Sequence, residues 1–183
     1  MVLGATIYQL HVALSDVERS VYESLELRLA RHPSETMRYM LMRAIAYCLS
    51  YEEGIAFSKA GLSSTDEPPI SVLDPTGILR HFIDVGSPSA ERLHKASKKA
   101  DRVSLYSYGS LANLQKEAES KPIHRMAEIE IWQLDASLLD ALEPHIERKT
   151  KLELVRNEGQ LYITVNGQVH EAALNQFQFP LRG

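Results

Sequence analysis

The spacing of apolar residues changes at residues 32–35, and this change restricts the fold more than any other feature of the chain. Before it, over residues 7–29, apolar and polar residues alternate in two runs, as they do in half-buried strands. After it, apolar residues recur at spacings of three and four from 37 to 48, which is typical of a helix with one buried face. The pattern therefore predicts an N-terminal β-hairpin over 3–31, followed by a helix with Ser34 as its N-cap.

The middle of the chain alternates between strand and helix patterns. Over a core of about 33–135, the order is helix, strand, strand, helix, strand, helix, strand. This order is typical of the α/β class, and here it predicts α and β elements around a mixed sheet (α+β). Strand patterns return over 150–173, where Asn166 and Gly167 form a strong hairpin signal. We expect residues 1–183 to form a single domain with β-hairpins flanking the core.

Composition and charge exclude several classes of protein. No apolar run approaches the roughly 20 residues that cross a bilayer, and the N-terminus lacks the basic segment of a secretory signal. The one cysteine, Cys48, rules out an internal disulfide framework and agrees with a reducing compartment. A formal net charge of −4 argues against a generally basic coat for nucleic acid. We therefore expect a cytoplasmic protein that does not bind a membrane.

One segment, 86–103, is nevertheless basic. Its basic residues are Arg92, Lys95, Lys98, Lys99 and Arg102, and its acidic residues are Glu91 and Asp101, which gives a local charge of +3. On a helix predicted over 88–102, with Ser87 as its cap, the five basic side chains fall on one side. Two interpretations explain this pattern. The basic face is either simply solvated surface or a phosphate-binding face, in which the free backbone N–H groups at the helix N-terminus also bind phosphate.

Two aspartates of the same region are candidate metal ligands. Asp74 lies where a strand meets a turn, and Asp84 lies at the end of the next strand. A pair of carboxylates binds Mg²⁺ or Mn²⁺, the metal polarises a phosphate oxygen, and a nearby ammonium stabilises developing negative charge. Antiparallel neighbours bring these two positions together only if the strands are offset or bent. The alternative is that Asp74 simply forms its Asp-Pro-Thr-Gly turn and that Asp84 caps the next one.

Several segments together resemble the YaeQ family of bacterial proteins, over nearly the whole chain. They are "ATIYQLHVAL", "LARHPSET", "FSKAGLSSTDEP" and "DPTG…FIDVGSPSAERLHKAS…ADRVSLYSYG". The resemblance implies a variant of the PD-(D/E)XK nuclease superfamily, that is, a restriction-endonuclease-like core. It implies Asp74 and Asp84 as metal ligands, and it implies Glu53, or less favourably Glu35, as an acidic ligand from the first core helix.

The sequence departs from the usual motif of that superfamily, in which a lysine follows two residues after the second acid. Here the motif reads Asp84-Val85-Gly86. Some members move this lysine to the next helix, and the resemblance then implies Lys95 as the relocated residue, with Lys98 or Arg92 as substitutes. Lysine can span that distance because its four-carbon stem is long and flexible.

Two functions follow from the resemblance. The first is a metal-dependent, nuclease-like phosphodiesterase in which Asp74, Asp84 and Lys95 are catalytic, Mg²⁺ or Mn²⁺ is held with help from Glu53, and the basic helix binds phosphate. The phosphate-binding residues are then Arg92, Lys98 and Lys99. The second is a catalytically inactive nuclease-fold protein that binds nucleic acid or another protein as a regulatory module. A structural or chaperone-like partner protein is a third hypothesis, and the sequence leaves the oligomeric state open.

Overall fold

The structure is a computed structural model that describes residues 4–59 and 66–180, so both ends of the predicted 1–183 domain lie outside the described residues. Within them there are eleven strands and four α-helices. The strands are β1 (Thr6–Asp16), β2 (Val21–Arg31), β3 (Ile55–Phe57), β4 (Ile70–Leu73), β5 (Leu79–Val85), β6 (Arg102–Ser107), β7 (Glu130–Gln133), β8 (Lys149–Asn157), β9 (Gln160–Val165), β10 (Gln168–Ala173) and β11 (Asn175–Phe177). The helices are α1 (Met37–Leu49), α2 (Ala90–Lys99), α3 (Ala112–Ser120) and α4 (Ala136–Leu142).

The first sheet joins the two ends of the chain. Its strand order is β10-β9-β8-β1-β2. β1 pairs antiparallel with β2 and parallel with β8, so the N-terminal hairpin and the C-terminal strands form one sheet and not two separate hairpins. The alternation in the sequence predicts each strand but cannot predict this pairing, because β1 and β8 are far apart along the chain.

The second sheet is mixed, as the sequence predicts, and its strand order is β11-β7-β6-β5-β4-β3. β3, β4 and β5 form an antiparallel meander. β5, β6 and β7 are parallel, with α2 crossing from β5 to β6 and α3 from β6 to β7. The α/β class with a mixed sheet is therefore confirmed.

Helices cover both faces of the second sheet. On one face, Ile83 and Val85 of β5 pack with α1, α4 and the inner face of the first sheet. On the other face, Phe82 packs with Leu93 of α2 and with α3. Since side chains alternate along a strand, Asp84 lies on the same face as Phe82, beside α2. None of the helices in the described residues is both long enough and apolar enough to cross a bilayer.

The helix boundaries differ from those predicted, because other hydroxyl groups cap the helices. Thr36 is the N-cap of α1, where its hydroxyl accepts the Tyr39 N–H, while Ser34 bonds the His32 ring. Ser89 caps α2 in the same way. α2 ends at Lys99, so Arg102 belongs to β6 and is not part of the basic helix face.

Candidate functional site

A cleft of about 570 Å³ opens beside the end of β5, between α1, α2 and the segment that leads into β4. We call it the Asp84 cleft. Its acidic lining residues are Glu35, Asp66, Glu67, Asp84 and Glu91, and its basic lining residues are Arg43, Arg92, Lys95 and Lys99. The two signs of charge are nearly balanced, so the arrangement of the charges decides what the cleft can bind.

Asp84 and Arg92 form a partly buried ion pair in this cleft. Arg92 Nε donates to Asp84 Oδ2 at 2.6 Å, and the Val85 N–H donates to Oδ1 at 3.0 Å. Arg92 also donates to the backbone oxygen of Glu67 and lies over the Phe82 ring, 5.5 Å from its centroid. Burial raises the pKa of the Asp84 carboxyl, and the hydrogen bond and charge of Arg92 oppose that rise. Of the basic residues on α2, it is therefore Arg92 that reaches the strand-end carboxylate.

Glu35 and Arg43 form a second ion pair, which is buried in the wall of the same cleft. Arg43 Nε donates to Glu35 Oε1 at 2.8 Å, and Nη2 donates to Oε2 at 3.1 Å. Burial raises the pKa of Glu35, and the charge of Arg43 opposes it. Glu35, the less favoured acidic candidate from the sequence, precedes the Thr36 N-cap of α1 and lines the cleft.

Tyr39 lies between these two ion pairs. Burial raises the pKa of its hydroxyl to about 12, with a further contribution from the negative charge of Asp84. Arg43 and Arg92 act in the opposite direction. The hydroxyl therefore stays protonated at neutral pH, where it is a hydrogen-bond donor and not a base.

The backbone at Gly86 explains the missing lysine. Gly86 has a φ of +93°, a conformation that side-chain-bearing residues rarely adopt. A Cβ atom there would also lie 3.4 Å from Tyr39 Cε2. A lysine at this position would therefore be strained, and Arg92 on α2 supplies the cation at Asp84 instead.

The other predicted cations lie farther from Asp84. Lys95 lines the cleft, but its Nζ lies 3.6 Å from Oε1 of Glu91, one helical turn earlier, and its side chain is exposed. Lys99 lines the cleft with no ion-pair partner in the described part of the chain. Lys98 is exposed and lies outside the cleft lining. Lys95 is thus a rim residue of the cleft, and it does not contact Asp84.

Asp74 and Asp84 lie at opposite ends of the β4–β5 hairpin, which corrects the expectation that they converge. In this antiparallel pair Ile70 lies opposite Ile83, and Leu73 lies opposite Leu79. The strand from Leu79 to Asp84 spans roughly 17 Å at about 3.3 Å per residue. β4 stays paired beside it from Ile83 to Leu79, so Asp74 follows β4 at the far end.

Asp74 is instead held by its own turn. Its Oδ1 accepts hydrogen bonds from the Thr76 hydroxyl, the Thr76 N–H and the Ile78 N–H, and its Oδ2 accepts one from Arg80. These bonds, the Thr76 hydroxyl foremost, hold the pKa of the Asp74 carboxyl well below its usual range. The turn-forming interpretation of Asp74 therefore accounts for its bonds to Thr76 and Ile78, and an ion pair with Arg80 of β5 occupies the other carboxylate oxygen.

Glu53 also lies away from the Asp84 cleft. It is exposed in the loop after α1, and the oxygen of its neighbour Gly54 accepts a hydrogen bond from the Leu73 N–H. That contact places the loop at the Asp74 end of the hairpin. Glu53 therefore does not join Asp84, and this expectation is corrected as well.

The N-terminus of α2 is already occupied by acceptors. The Ala90 N–H donates to the Glu117 carboxylate at 2.7 Å, and the Arg92 N–H donates to the Ser89 hydroxyl at 3.1 Å. The expected phosphate position at this helix end is therefore taken by groups of the chain itself.

The residues of the cleft do not form a ready site for Mg²⁺ or Mn²⁺. Over residues 4–59 and 66–180, no three Asp, Glu, His or Cys side chains converge as metal ligands. Asp84 and Glu35, which have the hard oxygen atoms that these ions prefer, direct them at arginine guanidinium groups. A metal ion would have to displace Arg92 or Arg43 first.

Sequence reasoning missed Asp66, Glu67 and Arg43. Asp66 and Glu67 precede β4, and the start of β4 lies beside the end of β5 because the two strands are antiparallel. The pairing rule for antiparallel strands could have identified them as neighbours of Asp84. Arg43 lies on the apolar face of α1, and no sequence pattern distinguishes it there.

The YaeQ protein family model matches residues 1–174 of the chain. Curated relatives include the uncharacterised YaeQ proteins of Salmonella typhi, 30% identical, and of Escherichia coli (strain K12), 29% identical. Each alignment covers 98% of this chain and 99% of the relative.

Two solved structures share the fold. The crystal structure of the YaeQ protein from Pseudomonas syringae matches with a TM-score of 0.85 and 33% identity, over 94% of this chain and 95% of that one. That of the YaeQ protein from Xanthomonas axonopodis pv. citri matches with a TM-score of 0.86 and 27% identity, over 95% and 98%. The resemblance of the sequence motifs is thus confirmed at the level of the family, and the chain belongs to the YaeQ family.

Proposed function

We propose that the chain is a nuclease-like protein that binds the phosphodiester backbone of a nucleic acid in the Asp84 cleft. The element order α1-β3-β4-β5-α2-β6 agrees with the restriction-endonuclease-like core that the sequence resemblance implies. The proposal rests on one observation. Arg92 is fixed by Asp84 at the strand end, and Lys95 and Lys99 follow it along the same helix and into the same cleft.

The two kinds of cation suit a phosphate backbone in different ways. Arg92 is permanently charged, and its pairing with Asp84 fixes its orientation, while its side chain is still 24% exposed. Lys95 and Lys99 are exposed ammonium groups on flexible stems, which adapt to phosphates at variable positions. Such contacts provide affinity that is sensitive to salt and independent of sequence.

The acidic wall of the cleft restricts where the backbone lies. Asp66 and Glu67 line the wall formed by the segment before β4, and the Glu67 carboxylate accepts a hydrogen bond from the Ser58 hydroxyl. Phosphates are repelled from that wall, so the strand lies against α2. In this function Asp84 orients Arg92, and neither Asp74 nor Glu53 takes part.

Fluorescence anisotropy with a labelled single-stranded oligonucleotide of about 12 nucleotides tests this proposal, in EDTA and at low salt. We expect wild-type protein to bind, and we expect Lys95→Ala/Lys99→Ala to bind more weakly. The slope of log K against log salt should fall by about 1.4 in this variant, or about 0.7 for each lost phosphate contact.

The matched control is Lys149→Ala/Lys151→Ala, which removes the same charge from exposed positions of β8 outside the cleft. It should bind like the wild type. Equal losses of oligonucleotide affinity in both variants would indicate a general effect of charge and would contradict binding in the Asp84 cleft.

The second candidate function is a phosphodiesterase that uses Mg²⁺ or Mn²⁺, with Asp84 as a metal ligand and Lys95 beside it. The observation that favours it is that Glu35, Asp66, Glu67 and Asp84 all line one cleft, although they are not close enough together to form a metal site as they stand. It requires Arg92 to leave Asp84. Calorimetry with Mn²⁺ on the wild type and on Asp84→Ala separates the two candidates. Mn²⁺ binding that the mutation abolishes supports the metal-dependent enzyme. Oligonucleotide binding in EDTA, without any Mn²⁺ binding, supports the first candidate.

A further inference from the structure

We infer that a second cleft, between α2 and α3, is a phosphate-binding subsite that extends the Asp84 cleft for a longer nucleic-acid strand. We call it the α2–α3 cleft. It has a volume of about 720 Å³, and the lining residues that matter here are Ser89, Glu91, His94, Lys116, Glu117 and Lys121. The inference rests on the proposed function, because it concerns the same ligand.

The lysines of the α2–α3 cleft have charge available for a ligand. Lys116 and Lys121 are exposed, and neither has an ion-pair partner among residues 4–59 and 66–180. Two carboxylates line the same cleft, but each has another partner: Glu117 accepts the Ala90 N–H at 2.7 Å, and Glu91 lies 3.6 Å from Lys95 Nζ. The two ammonium groups therefore lie beside carboxylates that already contact other groups.

His94 adds a hydrogen-bond donor whose tautomer is fixed by the fold. Its Nδ1 accepts the backbone N–H of His124 at 2.9 Å. The neutral ring must then carry its hydrogen on Nε2, which makes that nitrogen a donor. A ring N–H donor in a cleft that is also lined by two lysines suits the acceptor oxygens of a phosphate group.

The two clefts are continuous around the first turn of α2. Ser89 and Glu91 line both of them. Arg92, Lys95 and Lys99 line the Asp84 cleft. Lys116 of α3 and Lys121, the C-cap of α3, line the α2–α3 cleft. A strand that crosses this turn can contact both groups of cations, while a short strand contacts one. Dependence of affinity on strand length is therefore the property that distinguishes an extension from an isolated anion site.

The test compares Lys116→Ala/Lys121→Ala with wild-type protein, using labelled single strands of about 4 and about 16 nucleotides in EDTA. We expect the variant to bind the short strand like the wild type. We expect it to bind the long strand about tenfold more weakly, with a salt slope lower by about 1.4. Lys116→Arg/Lys121→Arg, which keeps the charge, should bind the long strand like the wild type, and so should the control Lys149→Ala/Lys151→Ala.

Each failure has a separate signature. If the wild type binds neither strand, the proposed function and the extension both fall. If the wild type binds the long strand and the Lys116→Ala/Lys121→Ala variant binds it equally well, only the extension falls. The extension also falls if the variant loses as much affinity for the short strand as for the long one. It falls as well if the mutation abolishes binding of inorganic phosphate, measured by calorimetry, but leaves binding of the long strand unchanged.

Discussion

Arg92 Nε donates to Asp84 Oδ2 over 2.6 Å and so connects α2 to the end of β5. The carboxylate that the sequence resemblance implies as a metal ligand is bound here to a guanidinium group. Asp84 is only 2% exposed, so its charge depends on a partner for stability. The ion pair thus has a structural role, because it fixes α2, and it has a role in the proposed binding, because it orients Arg92.

Asp84→Ala should destabilise the protein strongly. The mutation leaves Arg92, which is held against Phe82 and Glu67, without its buried partner. Removing one member of a buried pair costs about 3 kcal/mol, and Asp84→Asn should cost less because it keeps an acceptor. The free energy of unfolding, from urea titration, measures both changes.

The matched control is Asp140→Ala, which breaks the exposed pair that Asp140 forms with Arg38. This pair is screened by solvent, so the midpoint of urea unfolding should hardly move. An equal shift in the Asp84 and Asp140 variants would contradict a structural role for the buried pair.

Restoring the motif lysine with Gly86→Lys should destabilise the protein and should not create a metal site. The φ of +93° costs a side-chain-bearing residue about 1–2 kcal/mol, while a Cβ atom 3.4 Å from Tyr39 Cε2 is in ordinary van der Waals contact. Gly77 has a φ of +86° and open space around it, so Gly77→Ala and Gly86→Ala should lose similar stability, measured by thermal unfolding. A much larger loss in Gly86→Ala would contradict a purely backbone cost.

Local sequence patterns predicted the elements of the fold and missed their long-range pairing. The alternation of apolar residues over 7–29 identified β1 and β2, because half-buried strands impose it. The parallel pairing of Gln9 with Lys149 left no local signal, since it depends on packing across the whole chain. For the same reason the C-terminal strands were expected to flank the core and were not expected to join β1.

The candidate site was predicted in part, for a related reason. Asp84 is close in sequence to Arg92, Lys95 and Lys99 of α2, and all four line one cleft. Asp74 is also close in sequence, but an antiparallel register carries it to the opposite end of the hairpin. Arg92, and not Lys95, pairs with Asp84, and the Arg92 side chain packs over the Phe82 ring. Helical spacing in the sequence does not reveal this packing.

His81 should make the protein less stable in mild acid. The ring is buried, its Nε2 lies 2.7 Å from Ser104 Oγ, and its Nδ1 has no hydrogen-bond partner in the described residues. Burial foremost, and then the positive charge of Arg102, lower the pKa of His81 to about 4 against the opposing charge of Glu130. The ring is therefore neutral in the folded protein at neutral pH.

The direction of the pH effect follows from this lowered pKa. Between pH 4 and pH 6.5 the unfolded chain binds a proton at His81 that the folded chain does not, so stability falls as the pH falls through this window. The slope attributable to one such group is at most about 1.4 kcal/mol per pH unit. His81→Gln should flatten the dependence of the unfolding free energy on pH between 7.5 and 5, and His11→Gln, at a more exposed position, serves as its control.

Single substitutions on α2 distinguish a phosphate-binding cleft from a generally basic helix face. Lys98 and Lys99 are adjacent, exposed and equally charged, but only Lys99 lines the Asp84 cleft. A cleft predicts that Lys99→Ala weakens oligonucleotide binding and lowers its salt slope by about 0.7, while Lys98→Ala changes neither. A solvated basic face predicts equal, small effects from both.

Lys95 refines this comparison, because its ammonium group lies near Glu91. A phosphate must compete with that carboxylate for Lys95, whereas Lys99 has no such competitor in the described structure. Lys95→Ala should therefore weaken binding less than Lys99→Ala does, and Glu91→Gln should strengthen it. Anisotropy titrations of these variants at two salt concentrations measure all of these effects. If Lys98→Ala proved as harmful as Lys99→Ala, the basic residues of α2 would act only through their combined charge, and the Asp84 cleft would lose its part in binding.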